Sequence, residues 1–162
     1  MKETQDHPYE DDMIEAFIDK PSKTFWYQNS FKKFSMHGVD SLQWNWSWWA
    51  FGTGFLYLLY RKQYIPSLVL FFLSMLIGFI PFVGTLIGMI LAGGYSSYFV
   101  YKGYKKKLLE VETIVEDKEK RVEVMRQVGG YHQWVIWVYV ALFAVVFFTI
   151  LTALFTMPTM QH

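Results

Sequence analysis

Residues 65–101, within the longest uncharged segment of the sequence, constrain the fold more than any other feature. They are 37 consecutive residues without Asp, Glu, Lys or Arg. As a single helix they would be about 55 Å long, against roughly 30 Å for the hydrocarbon core of a membrane. The segment must therefore fold back on itself. Pro81 stands near its middle and cannot donate a helical hydrogen bond, so the sequence predicts a hairpin of two helices, 66–80 and 83–101.

The charged residues are confined to three parts of the chain, 1–40, 61–62 and 102–126. Residues 127–162 form a second uncharged segment, in which a helix from about Trp134 is long enough to span a bilayer. Hydrophobic residues make up 53% of the 162 residues. A soluble domain of this size has too small a core to bury so many uncharged residues. The sequence therefore predicts an all-α membrane protein.

A third apolar segment, residues 44–60, has only 17 residues, which is the short limit for a spanning helix. Tryptophans crowd its first half, and tryptophan prefers the membrane interface. We therefore predict one half-embedded aromatic helix that stays in a single leaflet. The residues expected at the membrane interface are Trp44, Trp46, Trp48, Trp49, Arg61 and Lys62, with Trp134 and Trp137 at the start of the C-terminal helix.

The distribution of lysine and arginine predicts the topology, because these residues concentrate on the cytoplasmic side. If segment 44–60 stays in one leaflet, all 15 cations lie on one face. We then expect a cytoplasmic N-terminus and three spans in a bacterial inner membrane. The predicted domains are a cytosolic segment 1–40, acidic and then basic and aromatic; a membrane region 41–101; a cytosolic amphipathic helix 102–130; and a C-terminal transmembrane helix with a short external tail, 131–162. The alternative is four spans with the N-terminus outside.

Two sets of residues suggest surfaces for association. One is a small-residue stripe on the second hairpin helix, a pattern that allows close backbone approach between helices in lipid; its members are Gly84, Gly88, Ala92 and Ser96. The other is a heptad-like seam in segment 102–130, consisting of Leu108, Val111, Val115, Val122 and Met125. Each set would pack either on a partner or within the chain itself, the seam on the N-terminal segment.

No pattern in the sequence indicates catalysis. The predicted spans hold no ionisable side chain, which argues against ion transport by this chain alone. Common hydrolase and nucleotide-binding motifs are missing, no two histidines have metal-ligand spacing, and the chain has no cysteine. We expect no enzyme activity, no catalytic residue, no cofactor, no metal site and no nucleic-acid partner.

One motif begins with Ser47-Trp48-Trp49-Ala50-Phe51 and continues with Gly54, Tyr57, Tyr60-Arg61-Lys62 and Tyr64. Through it, roughly residues 44–101 resemble a widespread family of small bacterial membrane proteins of unknown function. The chain departs from the family pattern in having Ser47 for asparagine, Phe55 for proline and Tyr57 for tryptophan. Some members carry a cytosolic zinc ribbon before the motif, so the resemblance implies a cytoplasmic N-terminus. It implies fold and topology but no activity.

These features favour a non-catalytic accessory protein that binds and stabilises or assembles a larger membrane complex. A chaperone or subunit of a flagellar motor stator would be one example. The partners would be another integral membrane protein and anionic phospholipid headgroups, and the same surfaces would permit a homo-oligomer. An alternative is a lipid-binding or membrane-remodelling protein acting through the aromatic helix, and a third is a small channel lined by Ser and Thr.

Overall fold

The computed structural model describes residues 6–36, 39–80 and 83–156. Within these ranges the chain is helical and contains no β-strand. It divides into two compact units, residues 1–132 and 133–162. The helices of the first unit are α1 (Asp6–Ile18), α2 (Pro21–Phe34), α3 (Trp48–Thr53), α4 (Phe55–Tyr60), α5 (Tyr64–Ile77), α6 (Val83–Ile114) and α7 (Lys118–Val128), and that of the second is α8 (Trp134–Thr156).

Two of the described helices, α6 and α8, are long and apolar enough to cross a membrane. The all-helical prediction and the prediction of apolar spanning helices are confirmed to that extent. Helix α5 has 14 residues, which corresponds to about 21 Å and falls short of the hydrocarbon thickness. It ends at Ile77, before the predicted boundary at residue 80, where Gly78 donates its amide to the carbonyl of Ser74.

The predicted boundary between helix 83–101 and a separate amphipathic helix 102–130 is wrong. Helix α6 continues without interruption from Val83 to Ile114, and the break comes later, at residues 115–117. Nothing in the local sequence opposes continuation, because lysine and leucine are good helix formers. Asp117 starts α7 by accepting a hydrogen bond from the amide of Glu119 at 3.0 Å.

The core of the first unit is formed by α1, α2 and the second half of α6, with α4 and α7 completing it. It is rich in aromatic side chains, which bury large apolar areas. Three aromatic residues of α2, Tyr27, Phe31 and Phe34, lie inside this core, because α2 packs on α1 and α6, whereas Phe25 is exposed. The buried side chains include Met13, Phe17, Tyr27, Phe31, Phe34, Leu58, Tyr101, Tyr104 and Met125.

Candidate functional site

The aromatic segment, which runs from Asp40 to Gln63, contacts the same turn of α6 at its start and at its end. At its start, Asp40 accepts hydrogen bonds from the hydroxyl of Tyr101 at 2.5 Å and from the ammonium of Lys102 at 3.2 Å. At its end, the side chain of Gln63 lies against Gly103, where an added Cβ would collide with it. The two ends therefore meet α6 within a single helical turn.

The first part of the segment, residues 40–47, is not helical and bonds to the backbone of α6. The amides of Asn45 and Ser47 donate to the carbonyls of Gly94 and Gly93 at 3.0 and 2.8 Å. The rings of Trp44 and Trp46 lie directly on these glycines, which have no side chain to keep them away. Gly93 precedes Lys102 by nine residues, or about 14 Å of helix.

The prediction of one helix over residues 44–60 is therefore wrong in its secondary structure. Residues 40–47 are not helical, and two short helices follow. Ser47 caps α3 by accepting a hydrogen bond from the amide of Ala50 at 3.3 Å. Gly54 separates α3 from α4 and has a φ of +56°, a conformation that favours glycine.

The tryptophans predicted for the interface differ in exposure. Trp48 and Trp49, at the start of α3, are 74% and 63% exposed. Trp46 is half-buried, and its indole N–H is buried without a hydrogen-bond partner among the described residues. Trp44 is partly exposed and makes an edge contact with Tyr95. In the separate C-terminal unit, Trp134 and Trp137 are exposed in the first turns of α8.

Arg61 is a buried connector rather than an interfacial residue, and that prediction is corrected. Its side chain is only 4% exposed, and its guanidinium donates to the carbonyl of Ile18 at 2.9 Å. The same group lies 4.7 Å from the centre of the Tyr27 ring and 5.5 Å from that of Tyr60. Arg61 thus binds the C-terminus of α1, where a cation is favourable, and stacks on aromatic faces.

Lys62 makes an equivalent contact with a second helix end. Its ammonium donates to the carbonyl of Gly129, immediately after α7. Lys107 donates to the neighbouring carbonyl of Val128. A pair of lysines therefore neutralises the negative end of the α7 dipole. The prediction that Lys62 is a simple interfacial anchor is corrected in the same way as that for Arg61.

A buried pair of tyrosines lies beside Arg61 and was not predicted from the sequence. The hydroxyls of Tyr27 and Tyr57 are 2.6 Å apart, and both side chains are buried. Asn45 is a second unpredicted residue, whose amide donates to the hydroxyls of Ser30 and Ser97 at 2.9 and 3.2 Å. The signal available for Asn45 was its position as a lone amide among four tryptophans.

The contacts of Asp40 with Tyr101 and Lys102 also shift the pKa of its carboxyl. The hydrogen bond from Tyr101 lowers the pKa of the Asp40 carboxyl, and the nearby Lys102 acts in the same direction against partial desolvation. The hydrogen bond to Asp40 in turn raises the pKa of Lys102. Asp40 therefore remains ionised and ties the start of the aromatic segment to α6.

The four residues of the small-residue stripe have different surroundings. Gly84 lies against the backbone of Ile77, so α5 occupies that position. Ala92 and Ser96 are buried within the first unit. Gly88 is different, because a Cβ added there would meet no atom within 4 Å. Only one position of the stripe is therefore open in the described structure.

The residues of the predicted seam are spread over two helices and face inwards. Val111 of α6 and Met125 of α7 are buried, and Leu108 and Val122 pack against the same core. Val115 is half-buried in the break between the helices. Helix α7 packs on α1, so the seam contacts the N-terminal segment of its own chain, which was one of the two alternatives.

The described residues include no group of three or more His, Asp or Glu side chains arranged to hold a metal ion. The structure thus brings together Arg61 with the rings of Tyr27 and Tyr60. It also has an aromatic segment, residues 40–63, with both ends on one turn of α6, and exposed apolar helix faces. When the chain is compared with family models, curated proteins and solved structures, none of the three comparisons finds a match.

Proposed function

We propose that this chain is a non-catalytic accessory protein of a bacterial inner membrane that binds and stabilises a larger membrane complex. The observation that carries this proposal is Gly88, an open small residue within the apolar half of α6. Small residues let another helix approach closely where no hydrophobic effect drives association. Exposed apolar side chains surround it on the same helix, among them Leu86, Ile87 and Ile90. Another integral membrane protein, such as a component of a motor stator, is the expected partner.

We further propose that α5 and α6 form a membrane hairpin, that α8 is a span, and that the N-terminus is cytoplasmic. The aromatic segment would then be re-entrant. In support, its ends meet α6 at residues 101–103, and its tryptophans reach about 14 Å along the helix. That distance matches half of a hydrocarbon core of roughly 30 Å. The resemblance of residues 44–101 to the small membrane-protein family agrees with this topology.

Cysteine labelling tests the topology, and the natural absence of cysteine makes single substitutions clean. Asn29→Cys in α2 and Glu119→Cys in α7 place thiols at exposed positions. We expect both to resist a membrane-impermeant maleimide in intact spheroplasts and to react after lysis. Labelling of Asn29→Cys in intact spheroplasts, with Glu119→Cys protected, would instead indicate the four-span alternative.

Substitution of Gly88 tests partner binding. We expect Gly88→Leu to reduce recovery of a co-purifying membrane protein roughly tenfold, which corresponds to about 1.4 kcal/mol of lost association. The thermal stability of the chain should change little, because no described atom lies within 4 Å of a Cβ added at this position. The measurement is affinity purification from native membranes in mild detergent, with quantitative mass spectrometry of the co-purified proteins.

Matched substitutions separate docking from folding. Gly88→Ala keeps a small residue and should retain the partner. Gly84→Leu should lower the thermal midpoint, since the Ile77 backbone stands where its Cβ would lie. Equal partner recovery with Gly88→Leu and with the unsubstituted chain would contradict the proposal, as would purification of the chain without any stoichiometric partner.

A second candidate function is supported by the exposure of Trp48 and Trp49. Two exposed tryptophans near the farthest part of a re-entrant segment would wedge between lipids of one leaflet. The chain would then bind or remodel membranes without a protein partner. Purified protein that deforms liposomes, and loses this effect with Trp48→Ser and Trp49→Ser together, would favour this function over the first.

A further inference from the structure

Three lysines lie on one face of α6 directly after its apolar half. Lys102, Lys105 and Lys106 have spacings of three and four residues, which bring side chains together on a helix surface. They line a shallow cavity of about 420 Å³ whose wall also includes Asp40, Leu109 and Glu112. The side chains of Lys102 and Lys106 are 49% and 79% exposed.

The local charges leave two of these lysines available for an anion. Lys102 is held by Asp40 at 3.2 Å. Lys106 approaches Glu110 only at 4.0 Å, and both side chains are well exposed, so the pair is weak. Lys105 forms no ion pair with any residue that the structure describes. Glu112 is the remaining acid of the cavity and lies 3.5 Å from the hydroxyl of Tyr9.

The apolar surface of α6 leads directly to these cations. Phe99 is exposed and precedes Lys102 by three residues and Lys106 by seven, so the three side chains share one helix face. A lipid whose acyl chain lies beside Phe99 would bring its phosphate to the height of the lysines. Lysine ammonium groups just beyond an apolar helix attract anionic headgroups.

We propose that Lys105 and Lys106, beside the Asp40–Lys102 ion pair, hold the headgroup phosphate of an anionic phospholipid directly after the apolar half of α6. Arg61 and Lys62 are engaged with the carbonyls of Ile18 and Gly129, so the lysines of α6 are better placed to bind a headgroup. This lipid site is independent of the Gly88 surface and of any protein partner. It does rest on the proposed membrane placement of α6, which the cysteine labelling tests separately.

Native mass spectrometry of the full chain in mild detergent tests the proposal. We expect dioleoyl-phosphatidylglycerol to be retained in preference to dioleoyl-phosphatidylcholine. Removing both charges with Lys105→Gln and Lys106→Gln should weaken phosphatidylglycerol binding roughly tenfold. Both side chains are exposed, so the far-ultraviolet circular dichroism and the thermal midpoint should be unchanged.

The matched control removes two lysines of α7, with Lys118→Gln and Lys120→Gln, and should retain phosphatidylglycerol. Three outcomes would overturn the assignment. The first is equal retention of the two lipids by the unsubstituted chain. The second is an equal loss of binding in the α6 and α7 variants. The third is displacement of phosphatidylglycerol by millimolar inorganic phosphate, because the cavity would then recognise a free anion and not a lipid.

Discussion

Replacing Arg61 with alanine is expected to destabilise the first unit more than removal of any exposed charge. The guanidinium is buried, donates to the Ile18 carbonyl and stacks on Tyr27 and Tyr60. Loss of a charged hydrogen bond and of desolvated cation–π contacts should cost about 3 kcal/mol or more. The thermal midpoint of the purified protein in detergent should fall by roughly 6–12 °C.

Two further variants show whether the effect comes from the buried contacts. Arg61→Lys keeps the charge but loses the planar group that both stacks and donates, and we expect it to recover only part of the stability. Lys120→Ala removes an exposed cation and should leave the midpoint unchanged. If Arg61→Ala were as stable as the unsubstituted protein yet lost phosphatidylglycerol, Arg61 would be an interfacial lipid anchor after all.

The second large effect is expected from Gly129→Ala at the end of α7. An added Cβ would lie 2.6 Å from the carbonyl oxygen of Phe17, 2.7 Å from its Cα and 2.9 Å from the carbonyl oxygen of Met125. All three atoms belong to the backbone, so neither helix can relieve the contact by a change of rotamer. We expect a loss of about 3 kcal/mol, as for other overpacked sites, with α1 and α7 separating first.

Hydrogen exchange measured by mass spectrometry reports this separation locally. Amides of α1 and α7 should lose protection in Gly129→Ala, whereas those of the apolar half of α6 should retain it. Gly52→Ala is the control, because no described atom lies within 4 Å of its added Cβ and alanine favours a helix. Unchanged exchange in α1 would show that the contact of Gly129 with Phe17 does not hold the two helices together.

The apolar helices of spanning length were predictable because hydropathy is a property of composition over a window and needs no knowledge of contacts. The apolar helices α6 and α8 follow from uncharged segments too long for a loop. The seam itself was also predictable from the sequence, since its apolar residues, such as Val111 and Met125, recur at helical spacing. Periodicity could not tell whether that face met a partner or the chain itself, because both require the same apolar residues.

The candidate site depended on contacts between distant parts of the sequence. Arg61 follows an apolar segment and was therefore predicted to face the interface. Its guanidinium is instead buried and donates to the carbonyl of Ile18, which lies 43 residues away in the sequence. Gly93 and Gly94 lie outside the four-residue spacing that includes Gly84 and Gly88, so the pattern predicted no role for them. Their importance lies in the rings of Trp44 and Trp46, which only the path of the chain brings to them.

The sequence by itself determined that this protein is helical and has apolar helices of spanning length, because local hydropathy and helix propensity are written in consecutive residues. Only the tertiary structure decided which cations bind helix ends and which stay exposed beyond the apolar half of α6. It also decided that both ends of segment 40–63 contact the same turn of α6, at residues 101–103. The physical reason is that hydrogen bonds, ring stacking and close glycine contacts depend on which distant segments meet, and residue type alone does not encode that.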